Sequence, residues 1–361
     1  MIIMDPLQND TATNETLVDG AEVEFRFSDY NQRVVLASIY FIISILGCVG
    51  NAMVIVAVCL ARRLRTITNV FVVSLSIADL LTCLALPFNA VNLLDADLGS
   101  SMLPEWICKA VALVLYVCGG CSLYTLAAIA INRYILITRP VRTYRSLYSR
   151  CKTAGMVTAT WLVPFLVAFF PPLFGLGELG YAEKYGSCTH KTSNPLSHVY
   201  SIVQAVIFYP GPMTIIIVCY VKIFKYVKQH CKRLMCSQTE GSVSSLRKSN
   251  ADTESNPKDS YKLKRPSTSR KQIDITKNLF CVVLAFVICV SPFGIALMIP
   301  PSDPFIPWAA AILVLNSCIN PIIYATKHPH FREVFRLMLR CQCSKIRPKN
   351  SLVRQNVIRR R

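Results

Sequence analysis

Charged side chains are missing from long stretches of this 361-residue sequence, in which 53% of the residues are hydrophobic. That composition is too apolar for an ordinary soluble domain. The uncharged segment 110–131 would form a helix about 33 Å long, enough to cross a bilayer core of about 30 Å. Further segments without Asp, Glu, Lys or Arg are 34–60, 153–177, 192–221, 278–302 and 304–326. Since 66–94 carries only Asp79, the sequence predicts an all-α membrane protein, a seven-transmembrane helix bundle.

Acidic residues are nearly absent from these segments, where Asp79 is the one carboxylate. A membrane enzyme needs clustered His, Asp or Glu side chains, so enzymatic activity is not expected. Internal repeats and paired broken helices, which are typical of transporters, are also lacking, and this makes a transporter the weaker alternative.

Basic residues are scarce at the start of the chain, because residues 1–33 hold seven acidic and two basic side chains. If this tail is outside the cell, the inner segments 61–65, 139–152, 222–272 and 327–361 hold 32 of the 39 Lys and Arg residues. That asymmetry is the positive-inside pattern, and it explains the net charge of +19 without a nucleic-acid partner. We therefore predict a multi-pass plasma-membrane protein with a cytoplasmic C-terminus, whose basic inner faces attract anionic membrane lipid.

A cleavable signal peptide is not visible, since the first thirty residues lack an apolar core segment. Residues 1–33 are predicted to be an extracellular tail with glycosylation sequons at Asn9 and Asn14. The transmembrane domain, 34–326, contains a polar cytoplasmic loop that is predicted to be disordered at about 229–268.

The chain ends in two cytoplasmic segments. Residues 327–343 alternate basic and apolar side chains at helical spacing, which predicts a short amphipathic eighth helix on the inner membrane surface. The basic tail 344–361 follows. Cys341 and Cys343, at the end of the amphipathic segment, are predicted palmitoylation sites.

Sixteen cysteines would suggest a disulfide-rich scaffold, but their positions do not. In the predicted topology only Cys108 and Cys188 lie outside, while the others fall in the bilayer or in the reducing cytosol. The sequence therefore predicts one disulfide, which joins the third helix to the loop before the fifth.

Polar residues and prolines recur at particular places in the apolar segments. The third predicted helix ends in Asn132-Arg133-Tyr134, and an arginine at a membrane-helix end should face a cavity or a partner. With these features, residues 34–343 resemble the rhodopsin-like (class A) G-protein-coupled receptors. The positions that carry the resemblance are Asn51, Leu75 with Asp79, Cys108 with Arg133, Trp161, Pro212 with Tyr220, Pro292, and Asn320-Pro321 with Tyr324.

The resemblance implies a heterotrimeric G protein as the partner. Arg133 would meet the C-terminal helix of the Gα subunit once the sixth helix swings outward, and Tyr220 and Tyr324 would turn inward. The other residues expected to act in coupling and activation are Asn132, Tyr134, Pro140, Phe286 and Pro292. Analogy with melatonin-type receptors, which share the Asn-Arg-Tyr motif with moody-type receptors, favours the inhibitory class. Arrestin and receptor kinases are further expected partners.

The resemblance also implies an allosteric sodium ion, with no other cofactor. A hard cation prefers oxygen ligands and would offset a buried carboxylate. The residues expected to form this polar network are Asn51, Asp79, Ser122, Asn316, Ser317 and Asn320.

Two positions depart from the family pattern. The usual acidic residue before the arginine is Asn132, and the usual tryptophan before the sixth-helix proline is Val290. Activation would then use other packing, for which Phe286 is our candidate. These departures keep open a second interpretation, a constitutively active receptor or a receptor-like partner without a ligand.

The extracellular ligand is expected to be a neutral or lipid-like small molecule. Leu115 and Val314 replace the aspartate of amine receptors and the retinal-binding lysine of opsins, and Phe208 replaces a histidine of melatonin receptors. An apolar lining with a few polar groups suits a neutral ligand. The predicted lining contains Asn89, Tyr116, Gln204, Tyr209 and Trp308. Lys109 and His190 lie near the predicted mouth, either as contacts for a ligand carboxylate or as solvated rim residues.

Overall fold

The computed structural model describes residues 25–95, 100–191, 193–248, 283–296 and 299–346. The α-helices in these ranges are, in chain order, α1 Tyr30–Leu60, α2 Ile67–Leu94, α3 Glu105–Thr138, α4 Val141–Leu147, α5 Arg150–Leu173, α6 Ser197–Phe208, α7 Pro210–Lys248, α8 Val283–Ala296, α9 Ile306–Lys327 and α10 Pro329–Leu339. Six helical spans are long and apolar enough to cross a membrane, and α8 is a shorter apolar helix. The predicted helical membrane fold is confirmed.

Polar side chains fix where several membrane helices begin. Asp29 accepts a 2.9 Å hydrogen bond from the Asn31 amide and caps α1, while Thr66 and Ser149 cap α2 and α5 in the same way. Each cap satisfies an amide that has no partner within its helix. Because α1 begins at Tyr30, the helix includes Arg33, which lies in the predicted outer tail.

The fifth span consists of two helices. α6 ends at Phe208 and α7 begins at Pro210, with Tyr209 between them. Proline cannot donate the backbone hydrogen bond that would continue α6, so the helix is interrupted there. α7 runs to Lys248 and thus through the first half of the segment predicted to be disordered, whereas 249–268 lies outside the described residues.

The central helix α3 contacts α2, α5 and α7 and also the two strands that precede α6. In a bilayer such contacts depend on close van der Waals packing rather than on a hydrophobic driving force, and small residues permit it. A methyl group at Gly120 of α3 would lie 2.8 Å from Cβ of Pro164 on α5, and one at Gly50 of α1 would lie 2.8 Å from Cβ of Pro321 on α9. Both glycines therefore allow the helices to approach.

An antiparallel hairpin covers the outer end of α3. Its strands are β1, Leu179–Ala182, and β2, Ser187–His190, and Tyr181 pairs with Cys188. The turn contains Gly186 at φ +61°, a left-handed conformation that glycine adopts without strain. The sequence predicted a loop at this position and missed the hairpin.

The amphipathic eighth helix is α10. Phe331, Val334 and Phe335 are buried on one face, and the Tyr324 ring of α9 stacks on Phe331 at 5.5 Å between centroids. Arg63, in the turn after α1, pairs with Glu333 at 2.8 Å. These contacts hold α10 against the inner end of the bundle.

Candidate functional site

The inner end of α3 is joined to two neighbouring helices through Asn132. The Thr68 hydroxyl of α2 donates a 2.7 Å hydrogen bond to Oδ1 of Asn132. Nδ2 of Asn132 in turn donates to the Tyr144 hydroxyl of α4 at 3.3 Å. Pro140 precedes α4 as its N-cap residue, and the Tyr144 ring stacks on Tyr148. The residue that replaces the family's acid is therefore a buried, neutral hydrogen-bonding centre.

Arg133 is buried, with 6% of its surface exposed. Tyr144, Tyr220 and Tyr324, from three helices, lie close enough to its guanidinium group to interact with it electrostatically. Within the described ranges no ion pair involves Arg133, and its Nε atom has no hydrogen-bond partner. A desolvated cation without a counter-charge is energetically costly, so this site favours the arrival of an acceptor.

The remaining residues predicted for coupling lie on α3 and α8. Phe286 and Val290 of α8 belong to the same buried cluster as Tyr220 and Tyr324. Nζ of Lys222 lies 5.7 Å from the centre of the Tyr134 ring. Pro292 lies in α8, where it is partly buried. α3, α7, α8 and α9 therefore contribute apolar side chains to one buried cluster, which a movement of α8 would open.

The polar residues predicted to hold sodium meet in mid-bundle around Asp79. Its carboxylate accepts hydrogen bonds from Nδ2 of Asn320 at 2.8 Å and from the Ser122 hydroxyl at 3.5 Å. Ser317 makes a further hydrogen-bonding contact with it. Asp79 is 1% exposed, so it is removed from bulk solvent. α2, α3 and α9 each contribute to this network.

Asn51 extends the network to α1. Its Nδ2 atom donates to the Gly47 and Ser317 carbonyl oxygens at 2.9 and 2.8 Å. The buried Oδ1 atoms of Asn51, Asn316 and Asn320 have no partner among the described residues. Buried oxygens without partners are costly, and neutral oxygens of this kind match the ligand preference of a hard cation. The residues present thus fit a sodium ion.

At the outer end, the hairpin is fixed to α2 and α3. Cys108 and Cys188 form the disulfide predicted from the sequence. Oδ1 of Asn89 accepts a 2.8 Å hydrogen bond from the Cys188 amide, and Nδ2 of Asn92 lies 3.1 Å from the Cys188 sulfur. Asn89, predicted to line the ligand pocket, therefore supports the hairpin backbone.

Two predicted pocket residues, Tyr116 and Gln204, meet beneath β2. The Tyr116 hydroxyl lies 2.5 Å from Oγ1 of Thr189. The His190 ring stacks on Tyr116 at 4.4 Å, and its Nε2 atom lies 3.1 Å from Oε1 of Gln204. Burial lowers the pKa of His190 to about 4. The imidazole is therefore neutral at physiological pH and is a poor partner for a carboxylate.

The other two predicted pocket residues lie apart from this pair. Tyr209, at the break between α6 and α7, donates a long 3.5 Å hydrogen bond to Ser291 of α8. Trp308 of α9 donates to Oε1 of Gln32 at 3.4 Å and contacts Phe27 edge-on. Trp308 also packs with Leu115 and Val314 against one apolar cluster. Leu115 and Val314, which replace the aspartate of amine receptors and the retinal-binding lysine of opsins, thus lie in apolar surroundings.

Ion pairs that the sequence did not predict close the outer surface. Lys109 and Lys191 both contact Glu105 and Glu178, at 2.7–3.1 Å. The hydrogen bond that Lys109 donates lowers the pKa of Glu178, and the one that Lys191 donates to Glu105 raises the pKa of Lys191. Lys109 is therefore an ion-paired residue rather than a free cation at the rim.

The hairpin turn forms a second set of contacts, with the N-terminal segment and the short segment before α9. Lys184 pairs with Asp303 at 2.7 Å, and the Tyr185 hydroxyl donates to the same carboxylate at 2.9 Å. Arg26 pairs with Glu183 at 2.8 Å, and the Phe27 amide donates to the Lys184 carbonyl. The sequence carries unlike charges in the turn and before α9, which is compatible with ion pairs. It does not predict which residues pair, because the partners are far apart along the chain.

The predicted modification sites are only partly described. Cys341 and Cys343 are free, exposed thiols after α10, so both are accessible to an acyl transferase. Asn9 and Asn14 lie outside the described residues.

Known proteins share this architecture. The 5-hydroxytryptamine receptor 4 of Homo sapiens is 27% identical over 348 residues, covering 90% of this chain and 84% of that receptor. The G-protein coupled receptor moody of Drosophila melanogaster is 28% identical, covering 85% of this chain and 51% of that protein. The GQ-coupled rhodopsin of Mizuhopecten yessoensis is 29% identical, covering 81% of this chain and 56% of that rhodopsin.

The chain is also similar to a solved structure and matches a family model. The crystal structure of squid rhodopsin superposes with a TM-score of 0.69 at 21% identity, covering 89% of each chain, and so shares the fold. The model of the seven-transmembrane receptors of the rhodopsin family matches residues 50–324. These relatives are signalling receptors and not enzymes. The chain belongs to the rhodopsin-like (class A) family of G-protein-coupled receptors.

Proposed function

We propose that this chain is a plasma-membrane receptor that binds a neutral or lipid-like extracellular molecule and activates an inhibitory G protein. The principal support is the buried Arg133, which lies among three tyrosines without an ion-pair partner in the described ranges. If α8 moved outward, the guanidinium group would gain access to backbone carbonyls at the C-terminal end of a Gα helix. Hydrogen bonds from a charged donor are strong enough to favour such a complex.

The proposed ligand class follows from the polarity of the outer half of the bundle. Leu115, Val314 and Trp308 pack against an apolar cluster, and the nearby lysines are engaged by Glu105 and Glu178. A charged ligand would have to break these ion pairs or remain unpaired in apolar surroundings. A neutral ligand avoids both costs.

Sodium is proposed as an allosteric ion of this receptor. Asp79 would supply the charge, and the uncommitted oxygens of Asn51, Asn316 and Asn320 would supply neutral ligands. The ion would offset a carboxylate that is otherwise desolvated. Its loss would shift the population of the helix bundle toward the packing that binds G protein.

Regulation at the inner face forms the last part of the proposal. With the N-terminus outside, as we propose, α10 and its exposed Cys341 and Cys343 would lie in the cytosol, where acylation would anchor them to the membrane. Arrestin and receptor kinases are proposed partners, with the exposed Ser344 as a described hydroxyl in the tail. Glycosylation of Asn9 and Asn14 would occur on the opposite side.

The decisive cellular experiment compares stimulated cAMP in cells that express the wild type or Arg133→Ala at equal surface density. The expected result is lower cAMP with the wild type, abolished by the variant and by pertussis toxin. Arg26→Ala provides an outer-surface control, because Arg26 pairs with Glu183 far from the G-protein face. Wild-type cAMP equal to that of Arg133→Ala would count against ligand-independent inhibitory coupling.

A second candidate, constitutive activity without a ligand, is favoured by one observation. Asn132 bonds to Thr68 and Tyr144 but offers no charge to the neighbouring Arg133. The inactive state therefore lacks the adjacent ion pair that would stabilise it. If the receptor lowers cAMP to the full extent without any added molecule, this interpretation replaces the ligand-binding one.

Coupling to Gq is printed in the name of the Mizuhopecten yessoensis rhodopsin. It is tested for this chain by measuring inositol phosphates in the same cells.

A further inference from the structure

The segment that precedes α1 extends from the start of that helix to the hairpin turn. We call residues 25–29 the strap; they lack regular secondary structure and end at Asp29, the N-cap of α1. The Phe27 amide donates a 2.9 Å hydrogen bond to the Lys184 carbonyl in the turn. The strap is therefore attached to the hairpin as well as to α1.

The Phe27 ring is buried, with 3% of its surface exposed. It meets the ring of Trp308, in the first turn of α9, edge-on with centroids 6.5 Å apart. Phe27 belongs to the apolar cluster against which Trp308, Leu115 and Val314 also pack. Val314 lies six positions after Trp308 along α9, about 9 Å deeper in the bundle. Phe27 therefore lies on the outer side of this cluster.

A ring of contacts encloses this outer side. Lys184 of the hairpin turn pairs with Asp303, just before α9, at 2.7 Å, and the Tyr185 hydroxyl donates to the same carboxylate at 2.9 Å. The turn is thus joined directly to the start of α9, and the strap joins the two a second time through Phe27. With Phe27 buried inside this ring, the strap separates the cluster from outer solvent on the side of α1 and α9.

Few contacts hold the strap in this position. In the described ranges its backbone bonds to the rest of the fold outside α1 once, at Lys184. The Arg26–Glu183 ion pair is about half exposed, so solvent screens it. The burial of the Phe27 ring is therefore the largest restraint. A segment with so few contacts can open locally while the helix bundle remains folded.

We propose that the strap is a cover of the ligand site, which turns at the start of α1 and carries Phe27 as its plug. While it is closed, molecules in the outer solution do not reach Val314 from the side of α1 and α9. A neutral or lipid-like ligand that lifts the strap replaces the apolar contacts of Phe27 with its own. This inference rests on the proposed receptor function, because the cluster beneath the strap is the one proposed to bind the ligand.

The test measures access to a thiol placed beneath the strap. Val314→Cys is expressed with the strap intact and together with Phe27→Ala, and a charged, membrane-impermeant methanethiosulfonate reagent is added outside intact cells. Peptide mass spectrometry of the purified receptor then follows each cysteine separately. Phe27→Ala is expected to accelerate modification at position 314 about tenfold or more, because the burial of one aromatic side chain corresponds to such a shift in an opening equilibrium.

Matched variants separate the plug from other effects. Phe27→Leu keeps a large apolar side chain and should keep modification slow, and Arg26→Ala removes only the exposed ion pair and should do the same. Met102→Cys places a thiol where 61% of the native side chain is exposed, and its rate should be equal in every background. If Phe27→Ala does not reach the cell surface, Phe27→Val makes the comparison, with an intermediate rate expected.

The native Cys121, buried in α3, distinguishes a cover from a purely structural segment. A cover predicts faster modification at position 314 and an unchanged rate at Cys121. Equal rates at position 314 with and without Phe27, or acceleration at both positions, would overturn the proposal. So would modification of Val314→Cys as fast as that of Met102→Cys while the strap is intact.

The outcome is independent of signalling, because the assay contains neither an added ligand nor a G-protein readout. A receptor that lowers cAMP through Arg133 but shows no protection by Phe27 loses only this inference. A receptor in which Phe27 protects position 314 but which does not lower cAMP loses the proposed coupling and retains the cover.

Discussion

The Thr68 hydroxyl donates a 2.7 Å hydrogen bond to Asn132, the residue that precedes the buried Arg133. Most of the class is expected to have a carboxylate at this position, and it would pair with the arginine. Here the side chain is neutral and its amide nitrogen is directed to Tyr144. α2, α3 and α4 are therefore held together at the inner surface while Arg133 is left without a counter-charge in the described ranges.

Asn132→Asp is expected to reduce ligand-independent signalling. The new carboxylate can still accept from Thr68, and it also offers Arg133 an adjacent partner. A hydrogen bond to a charged group contributes about 1.5–3 kcal/mol, which corresponds to about a tenfold or larger shift toward the inactive state. Stimulated cAMP at matched surface density is the measurement. Asn132→Leu removes the hydrogen bonds to both Thr68 and Tyr144 without adding charge, so an equal reduction in both variants would rule out the ion-pair explanation.

Asp79→Asn is expected to abolish a stabilising effect of sodium. The wild type should unfold at a higher temperature in sodium chloride than in N-methylglucamine chloride, because only sodium fits the oxygen ligands around Asp79. Sodium at ten times its dissociation constant would contribute about 1.4 kcal/mol. Asp303→Asn, which removes a carboxylate at the outer surface, should keep the difference between the salts. A wild type that unfolds identically in both salts would refute the ion site.

Lowering the pH from about 7 to about 4 is expected to destabilise the receptor, in part through His190. Unfolded histidine takes up a proton near pH 6.5, whereas burial keeps the pKa of folded His190 at about 4. The unfolded state therefore binds more protons in this window, and stability is lost as the pH falls. Burial also lowers the pKa of His328 to about 4, so it adds to the same slope.

His190→Phe removes one of these two contributions and should flatten the pH dependence of the unfolding temperature. Each pKa unit corresponds to about 1.4 kcal/mol. Unfolding temperatures between pH 7 and pH 4.5 in detergent provide the comparison. A slope unchanged by the substitution would mean that His190 takes up its proton at the same pH in both states.

Lys184→Ala is expected to loosen the hairpin turn. Its ion pair with Asp303 is largely shielded, with side-chain exposures of 19% and 27%, whereas the Arg26–Glu183 pair is exposed at 52% and 48%. Exposed pairs contribute little, about 0–1 kcal/mol, because solvent screens them. Hydrogen exchange of the turn amides should therefore accelerate more in Lys184→Ala than in Arg26→Ala. The reverse order would show that the Lys184 pair does not restrain the turn.

The sequence predicted those features that depend on local pattern. Uncharged runs of membrane length predicted the spans. The placement of Asp79 beside Asn320 came from the family motif, because 241 positions separate them in the chain. Periodicity alone does not predict such a contact.

The outer surface could not be predicted in the same way. The strands of the hairpin have four residues each, too few for a distinct alternating pattern, and they depend on the Cys108 disulfide and on Asn89 for support. Arg33 was assigned to the outer tail by its charge. In the fold, however, its guanidinium group donates to the Leu93 carbonyl at the end of α2. The geometry of the His190–Gln204 pair likewise required the three-dimensional arrangement.

The most direct test of the central claim is nucleotide exchange on a purified inhibitory heterotrimer, measured with the receptor in lipid nanodiscs. We predict faster GTP-analogue binding with the wild type than with empty nanodiscs, and a return to the empty-disc rate with Arg133→Ala. The same measurement on a Gq heterotrimer shows which class of G protein the receptor activates. Exchange that Arg133→Ala leaves unchanged, or no acceleration of either heterotrimer by the wild type, would contradict the account.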